Sequence, residues 1–263
     1  MAIKPRVFVT VRNTKRPQRA KSPYIDGCFE AMGVLGSVYI NSQIPSSSGL
    51  GSSAAVTVAT LSAINDEFSL HKSREDIADI AFEIEKKVQK GRASPTDTTV
   101  SMYGGIVFIS GGSRRRLPPQ NLQLVIGDSL VSHNTSKMVE LVGEQKKKYP
   151  EIIDPILDAI EGLSMRAIHH LNNPKELGWY MNMNHALLEA LGVGHPQLSR
   201  IVLASRAAGA FGAKITGAGG GGCMVALCPK QLKYRVATAI EACEGRAIIT
   251  GMDTDGARKE KNV

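Results

Sequence analysis

Two glycine-rich stretches, each running straight into small and apolar residues, restrict this chain more than any other feature. The first, IPSSSGLGSSAAVTVATL at residues 44–61, passes from Pro45 through serines and two glycines into an alanine and β-branched run. It reads as a loop entering the start of a buried helix. Such a junction offers unpaired backbone N–H groups and the positive end of the helix dipole, so it can hold phosphate without a charged side chain. Gly49 and Gly51 permit close backbone approach, Ser52 and Ser53 add hydroxyls for phosphate or Mg²⁺, and the G-K-[ST] ending of a Walker A loop is missing. An ordinary Ser-capped buried helix is the plainer reading of the same residues. The second stretch, TGAGGGGC at 216–223, holds five glycines in eight residues. That composition is costly in chain entropy unless the backbone must turn unusually or approach a ligand. A flexible linker fits poorly, because Met224, Val225, Ala226 and Leu227 come at once after it. Two such loops in one chain suggest one polyanionic ligand.

Composition narrows the partners. With 263 residues, 43% of them hydrophobic, the chain can bury a full core as one large or two small domains. Its 32 basic and 24 acidic residues give a formal charge of +8, which favours nucleic acid, a membrane surface or a phosphorylated small molecule. Nucleic acid is disfavoured: only 5% of residues are aromatic, and the basic runs 114–116 and 146–148 lie apart with no stacking motif between them. No stretch approaches the roughly 18 uninterrupted apolar residues of a spanning helix, so no membrane partner is expected. The cysteines at 28, 223, 228 and 243 form no C-x-x-C pair, and nothing resembles a signal peptide. The expected location is cytoplasmic, with reduced thiols.

Residues 7–11 (VFVTV) and 37–42 alternate with period two and predict strands. Small and apolar residues over 53–68 predict a buried helix, and 73–89 predicts an amphipathic helix capped by Ser73, with Ile77, Ile80, Ala81, Ile84 and Val88 on one face. Further strands are predicted at 103–110 and 122–128, separated by a solvated basic hairpin at Arg114–Arg116. Helices come next at about 136–148, 151–171, 175–191, 196–210 and 230–243, with the KITGAGGGGCMVAL segment at 214–227 before the last of them and a polar tail after it. Strands and helices mix without strict βαβ alternation, which argues for α+β. Between the loops, GRASPTDTTVSMYGG at 91–105 places Asp97 in a Ser/Thr-rich turn after Pro95, where a carboxylate serves equally as helix cap or as base. Glu85 stands twelve residues earlier among Lys86, Lys87 and Lys90.

Together these pieces resemble the GHMP family of small-molecule kinases over nearly the whole chain. PSSSGLGSSAA resembles the family's phosphate-binding loop and KITGAGGGGC its third motif, while GRASPTDTTVSMYGG is similar to the mevalonate kinase branch, above all its archaeal members. The resemblance implies a two-domain α+β fold. An N-terminal domain like the second domain of ribosomal protein S5, at residues 1–120, would be followed by a ferredoxin-like C-terminal domain at 121–263, with ATP and substrate in the cleft between them. It implies phosphorylation of the mevalonate 5-hydroxyl by ATP and Mg²⁺, with only small-molecule partners apart from a homodimer that the sequence leaves open. By the same resemblance Asp97 is the base, Glu85 and Ser53 are Mg²⁺ ligands, and Pro45, Ser48, Gly49, Leu50, Gly51, Ser52, Ser53 and Ala54 hold the nucleotide. Thr135, Lys137, Gly217, Ala218 and Gly219 fall on the substrate side. These roles suit phosphoryl transfer, which is mostly positioning and charge neutralisation.

Two departures qualify the resemblance. Family members begin with a P-G-K-x-x-L-x-G-E-H segment, whereas MAIKPRVFVTV resembles the stretch immediately C-terminal to that segment. The first motif, with a lysine that assists transfer, is therefore expected to be absent, and Lys4 in I-K-P-R does not replace it. The spacing from Glu85 to Asp97 is one residue longer than the branch's pattern, near Lys90-Gly91-Arg92. A non-catalytic or weakly active truncated nucleotide-binding relative is the alternative expectation, as is another isoprenoid-pathway kinase such as phosphomevalonate kinase, which shares these loops.

Overall fold

Alternating valines commit the first segment to a strand. The computed structural model describes residues 1–44, 49–91, 93–111, 113–132 and 134–260. In it β1 (Val7–Asn13) turns Val7, Val9 and Val11 inward and pairs antiparallel with β2 (Gly36–Ser42), Val11 facing Val38. Between them lies α1 (Pro23–Met32), with Pro23 in its first turn and left-handed Gly33 closing it. Next comes α2 (Ser52–Glu67), whose fully buried Val58, Leu61 and Ile64 each contribute about 1.5–3 kcal/mol by leaving water. The amphipathic stretch forms α3 (Arg74–Val88), started by a capping box in which Ser73 and Asp76 satisfy each other's backbone N–H. Ser94 caps α4 (Pro95–Tyr103), and β3 (Ile106–Ser110) with β4 (Ser113–Leu117) makes an antiparallel hairpin. The basic residues of β4 are engaged at its surface, Arg114 with Asp79 at 2.9 Å and Arg115 over the Phe108 ring. Both α1 and α3 pack with β1 and β2 around α2, sharing one core.

The remaining elements build a four-stranded antiparallel sheet in the order β6 (Gly212–Ile215), β7 (Cys223–Leu227), β5 (Gln123–Asp128), β8 (Arg246–Gly251). Helices α5 (Thr135–Lys148), α6 (Pro150–Ala167) and α7 (Pro174–Ala190) come after β5 in sequence. Then α8 (Pro196–Ala207) precedes β6, and α9 (Lys233–Ala242) joins β7 to β8. Ile201, Val202 and Leu198 of α8 and Val236 and Ile240 of α9 meet Val125, Ala213, Ile215, Met224 and Ala226 of the sheet in a second core. Contacts divide the described chain accordingly into two units. One comprises residues 1–44, 51–119 and 252–260, and the other Gly49, Leu50 and residues 120–251.

The α+β class holds in both units. The segment at 214–227, given no element from the sequence, contributes β6 and β7, and three further elements differ from the sequence expectation. The helix α1 was not anticipated, because Gly27 interrupts its pattern; a Cβ there would meet Ile84 at 3.0 Å, so the glycine serves the packing of α1 on α3. The supposed polar tail contains β8, an apolar run too short to declare itself, held on β5 with Arg246 paired to Asp128 at 2.6 Å. The predicted strand at 103–110 starts only at Ile106, since α4 runs on to Tyr103. Beyond β8 the chain returns to the first unit as a strap. Ile3 bridges Met252, Arg6 pairs with Asp253, the Gly105 N–H donates to Asp253 O at 2.7 Å and the Ala257 N–H to Met102 O at 3.1 Å.

In the second unit α7 touches β6 backbone to backbone: a Cβ on Gly212 would stand 2.1 Å from the Gly178 carbonyl oxygen. Gly212→Ala should therefore destabilise the protein by about 3 kcal/mol. Urea unfolding checks this, and a midpoint equal to the parent's would show that the helix can shift at no cost.

Candidate active site

The N-terminus of α2 is built without a side-chain cap. Gly51 occupies the cap position with φ 69°, no side chain among the described residues caps the first turn, and the first intrahelical bond runs from the Ala55 N–H to Gly51 O at 2.9 Å. The N–H groups of Ser52, Ser53 and Ala54 therefore have no acceptor within the helix, and they coincide with its positive dipole end. Glycine is required at the cap twice over. Its φ is left-handed, and a Cβ would lie 3.3 Å from Cγ of Asp97.

Asp97 reaches that helix end because Ser94 caps α4, with its side chain accepting from the Thr96 N–H, and Pro95 fixes the first turn. Crowding by surrounding protein raises its carboxyl above the usual aspartate range, although the residue still meets water. Glu85 is more deeply placed, only 3% exposed. It occupies the core-facing stripe of α3 with Ala78 and Ala81, while Lys86 and Lys87 point outward. Burial raises its pKa, a hydrogen bond from Ser53 opposes that, and the charge of Asp97 adds to it. Its Oε2 accepts from Gln89 Nε2 at 3.4 Å, whereas its Oε1 is buried with no hydrogen-bond partner among the described residues. Between Glu85 and Asp97 the chain turns after α3, where Lys90 and Gly91 both take positive φ, 53° and 84°.

The expected cofactor can be tested against these groups. Among the described residues no three His, Cys, Asp or Glu side chains gather to hold a metal ion by themselves. A buried carboxylate oxygen without a partner, beside a serine hydroxyl, nevertheless fits a hard divalent cation that takes its remaining ligands from phosphate and water. The residues present therefore fit the group.

In the second unit the glycine stretch is firmly wedged. Gly217, Gly219, Gly220, Gly221 and Gly222 all have positive φ. The Gly220 N–H donates to Val193 O and the Gly222 N–H to Val131 O, both at 2.8 Å. A Cβ on Gly220 would press on the Met138 sulfur in the first turns of α5, the helix that carries Thr135 and Lys137, both exposed. Asn134 caps that helix by accepting from the Lys137 N–H at 3.1 Å. Thr216 Oγ1 donates to Gly49 O at 3.3 Å, and a Cβ on Gly217 would lie 3.1 Å from the same oxygen.

The sequence-predicted residues thus fall into two groups. Gly51, Ser52, Ser53, Ala54, Glu85 and Asp97 gather in the first unit. Gly49, Gly217 and Gly219 belong to the second, together with Leu50 and Ala218 and the α5 residues Thr135 and Lys137. Pro45 and Ser48 lie outside the described residues. Sequence reasoning missed Tyr24 of α1, which stands close enough to Glu85 to feel its charge. Burial first and the Glu85 charge second raise its phenol, so it keeps its proton.

Comparison with known proteins bears on both groups. The family model described as GHMP kinases N terminal domain matches residues 23–105, and that described as GHMP kinases C terminal matches 164–245. A mevalonate kinase of Thermococcus sibiricus is 45% identical over 233 residues, covering 86% of this chain and 69% of that protein. The chain belongs to the GHMP kinases. A mevalonate kinase of Pyrococcus abyssi is 44% identical with the same coverage. The crystal structure of the Methanococcus jannaschii mevalonate kinase superposes with a TM-score of 0.78 at 25% identity, covering 96% of this chain and 90% of that one. The L. major mevalonate kinase in complex with R-mevalonate superposes at 0.81 and 23% identity, covering 96% and 87%, which supports the fold. The two matched segments of this GHMP kinase contain Gly51, Glu85 and Asp97 in the one and the glycine loop in the other. No helix among the described residues is long and apolar enough to cross a membrane.

Because Glu85 is raised above its unfolded value of 4.5, the folded protein holds that proton more tightly than the unfolded chain. Stability attributable to this residue is therefore lost as pH rises from the unfolded value through the raised one. In this GHMP kinase Glu85→Gln should be more stable than the parent by roughly 1 kcal/mol at neutral pH. The gain should fade below about pH 4. Thermal unfolding across that range reads it, and a gain independent of pH would disconnect it from the carboxylate charge.

Proposed function

We propose that this GHMP kinase transfers the γ-phosphoryl group of ATP to the 5-hydroxyl of mevalonate, with Mg²⁺ as the divalent cation, in the cytoplasm. The observation that carries the acceptor is the 45% identity to a mevalonate kinase across 86% of the chain. The chemistry is supported by the approach of Asp97 to the uncapped end of α2.

The N–H groups of Ser52, Ser53 and Ala54 receive the phosphates, and Gly49, Leu50 and Gly51, with Pro45 and Ser48 before them, complete the nucleotide loop. Asp97 accepts the proton of the attacking hydroxyl, and its raised pKa brings it toward the range useful to a base at neutral pH. Glu85 and Ser53 hold the cation, which when bound neutralises charge on the phosphate oxygens. Gly217, Ala218 and Gly219, with Thr135 and Lys137, face the acceptor. The remaining demand is positioning, and backbone fixed by left-handed glycines supplies it at little reorganisation cost.

Two variants test these roles. Asp97→Asn should lower turnover by about 10²–10⁴-fold while nucleotide binding persists, because the amide keeps the shape and cannot take the proton. A folded Asp97→Asn protein that no longer binds ATP would assign the residue to nucleotide binding instead. Gly51→Val should weaken ATP binding at least about tenfold, since the side chain resists the left-handed φ and collides with Asp97. Calorimetric titration with ATP would reject the loop assignment if the affinity stayed at the parent value. ADP release measured with mevalonate, phosphomevalonate or homoserine as acceptor decides the substrate, and a preference for either of the last two would overturn the mevalonate reading.

A further inference from the structure

One apolar side chain of the second unit stands where folding gives no reason for it. Leu130 follows β5 with a left-handed φ of 58°, and its side chain is 63% exposed. The other residues apart from glycine with positive φ among the described ones, Ser69, His71, Lys90 and Glu244, are polar. In that region the Cβ of an L-residue crowds the following carbonyl oxygen, so glycine or asparagine is favoured. An exposed leucine alone is ordinary. This one gains little from burial and strains the backbone as well. The strain persists because the turn is fixed on every side. The Leu130 N–H donates to Asp128 Oδ1 at 3.0 Å, and Arg246 holds the other oxygen of that carboxylate at 2.6 Å. Ser129 donates to Gly222 O from its N–H at 2.9 Å and from its hydroxyl at 2.7 Å, and the Val131 N–H donates to Ser129 Oγ at 3.3 Å. The Gly222 N–H returns to Val131 O at 2.8 Å. Both neighbours of Leu130 are thus fastened to the glycine loop that carries Gly217, Ala218 and Gly219.

We infer that Leu130 is a specificity-determining contact for the acceptor, packing against the methyl-bearing hydrocarbon centre of mevalonate. This rests on the reading of mevalonate as the acceptor and of Gly217, Ala218 and Gly219, with Thr135 and Lys137 of α5, as the residues that face it. Backbone amides, a hydroxyl and an ammonium recognise the carboxylate and hydroxyls of such a molecule, but these polar groups do not distinguish its methyl group from hydrogen. An apolar side chain does, and it must be held still to do so. Leu130 lies five residues before Thr135 and is flanked by residues bonded to Gly222. The turn therefore joins the two polar groups and adds a large apolar side chain to a set that otherwise has none.

The test compares mevalonate with its desmethyl analogue as acceptor in an ADP-release assay on the full chain. The parent should favour mevalonate in kcat/KM by about tenfold, the smaller end of what one methyl group commands in an apolar contact. Leu130→Gly relieves the strained φ and Leu130→Asn tolerates it. Each should lower kcat/KM for mevalonate by about five- to tenfold and leave that for the analogue within about twofold of the parent. Leu130→Met keeps an apolar contact and should retain the preference, and KM for ATP should stay at the parent value throughout. Leu130→Asn decides the matter if Leu130→Gly fails to fold. Losses of equal proportion for mevalonate and the analogue would mark the turn as a structural support and overturn the inference. A loss in Leu130→Gly that Leu130→Asn does not share would overturn it too, since it traces to chain flexibility. An unchanged preference in both variants would remove the contact and leave the mevalonate reading intact. A parent that phosphorylates neither acceptor would remove that reading, and the inference with it.

Discussion

Burial of one long stripe of α2 in the shared core is the constraint on which the first unit depends. Ala54, Thr57, Val58, Leu61 and Ile64 form a stripe of α2 removed from water, and that packed stripe resists sliding or rotation of the helix. Its N-terminus is consequently a fixed point. Other elements bring chemistry to that point: Asp97 from the start of α4, Glu85 from the inner stripe of α3, and Tyr24 from α1. No loop must order itself to bring these groups together among the described residues, because each stands on a helix held by the shared core.

Holding acidic groups there opposes stability. Glu85 is desolvated, leaves one oxygen without a partner among the described residues, and feels the charge of Asp97. The same features make a cation welcome, since a positive charge relieves the repulsion and takes up the vacant lone pairs together. The second unit solves a different problem. Its glycine loop carries no titratable group at all, and it works through backbone that side chains would push away, pressed between Val131, Met138 and Val193.

Much of this was legible in the sequence, unevenly and for physical reasons. The glycine loop before α2, the second glycine cluster, Asp97 and Glu85 stood out because glycine clustering and a Ser/Thr-rich acidic turn are local signals. The strand pair β1 and β2 and the helices α2 and α3 were visible because their periodicity is strong. What escaped depends on contacts distant in the chain. Tyr24 is meaningful only once α1 is laid against α2 and α3, and α1 was hidden by Gly27, a residue chosen by Ile84 across a helix interface. The strand β8 is a short apolar run whose identity is settled by hydrogen bonding to β5. Glu85 offered one clue that the charge pattern concealed: a carboxylate on the apolar stripe of an amphipathic helix, among lysines that lie on the other face.

The strap formed by residues 252–258 sets an order in time. It supplies Asp253 to Arg6 and to Gly105, and Ala257 to Met102 at the end of α4, the helix that carries Asp97 in its first turn. A ribosome makes these residues only after it has made all of the second unit. The early unit must therefore wait, with the turn after α4 unfastened, while roughly 130 residues of sheet and helix emerge and fold, at about 5–20 residues per second. Its last contacts are among the longest in sequence that the chain makes, and such contacts close late. Assembly of the first unit is thus completed by the segment that comes after β8, so a nascent chain caught before that point would carry every residue of the α2 terminus without the clasp that steadies it.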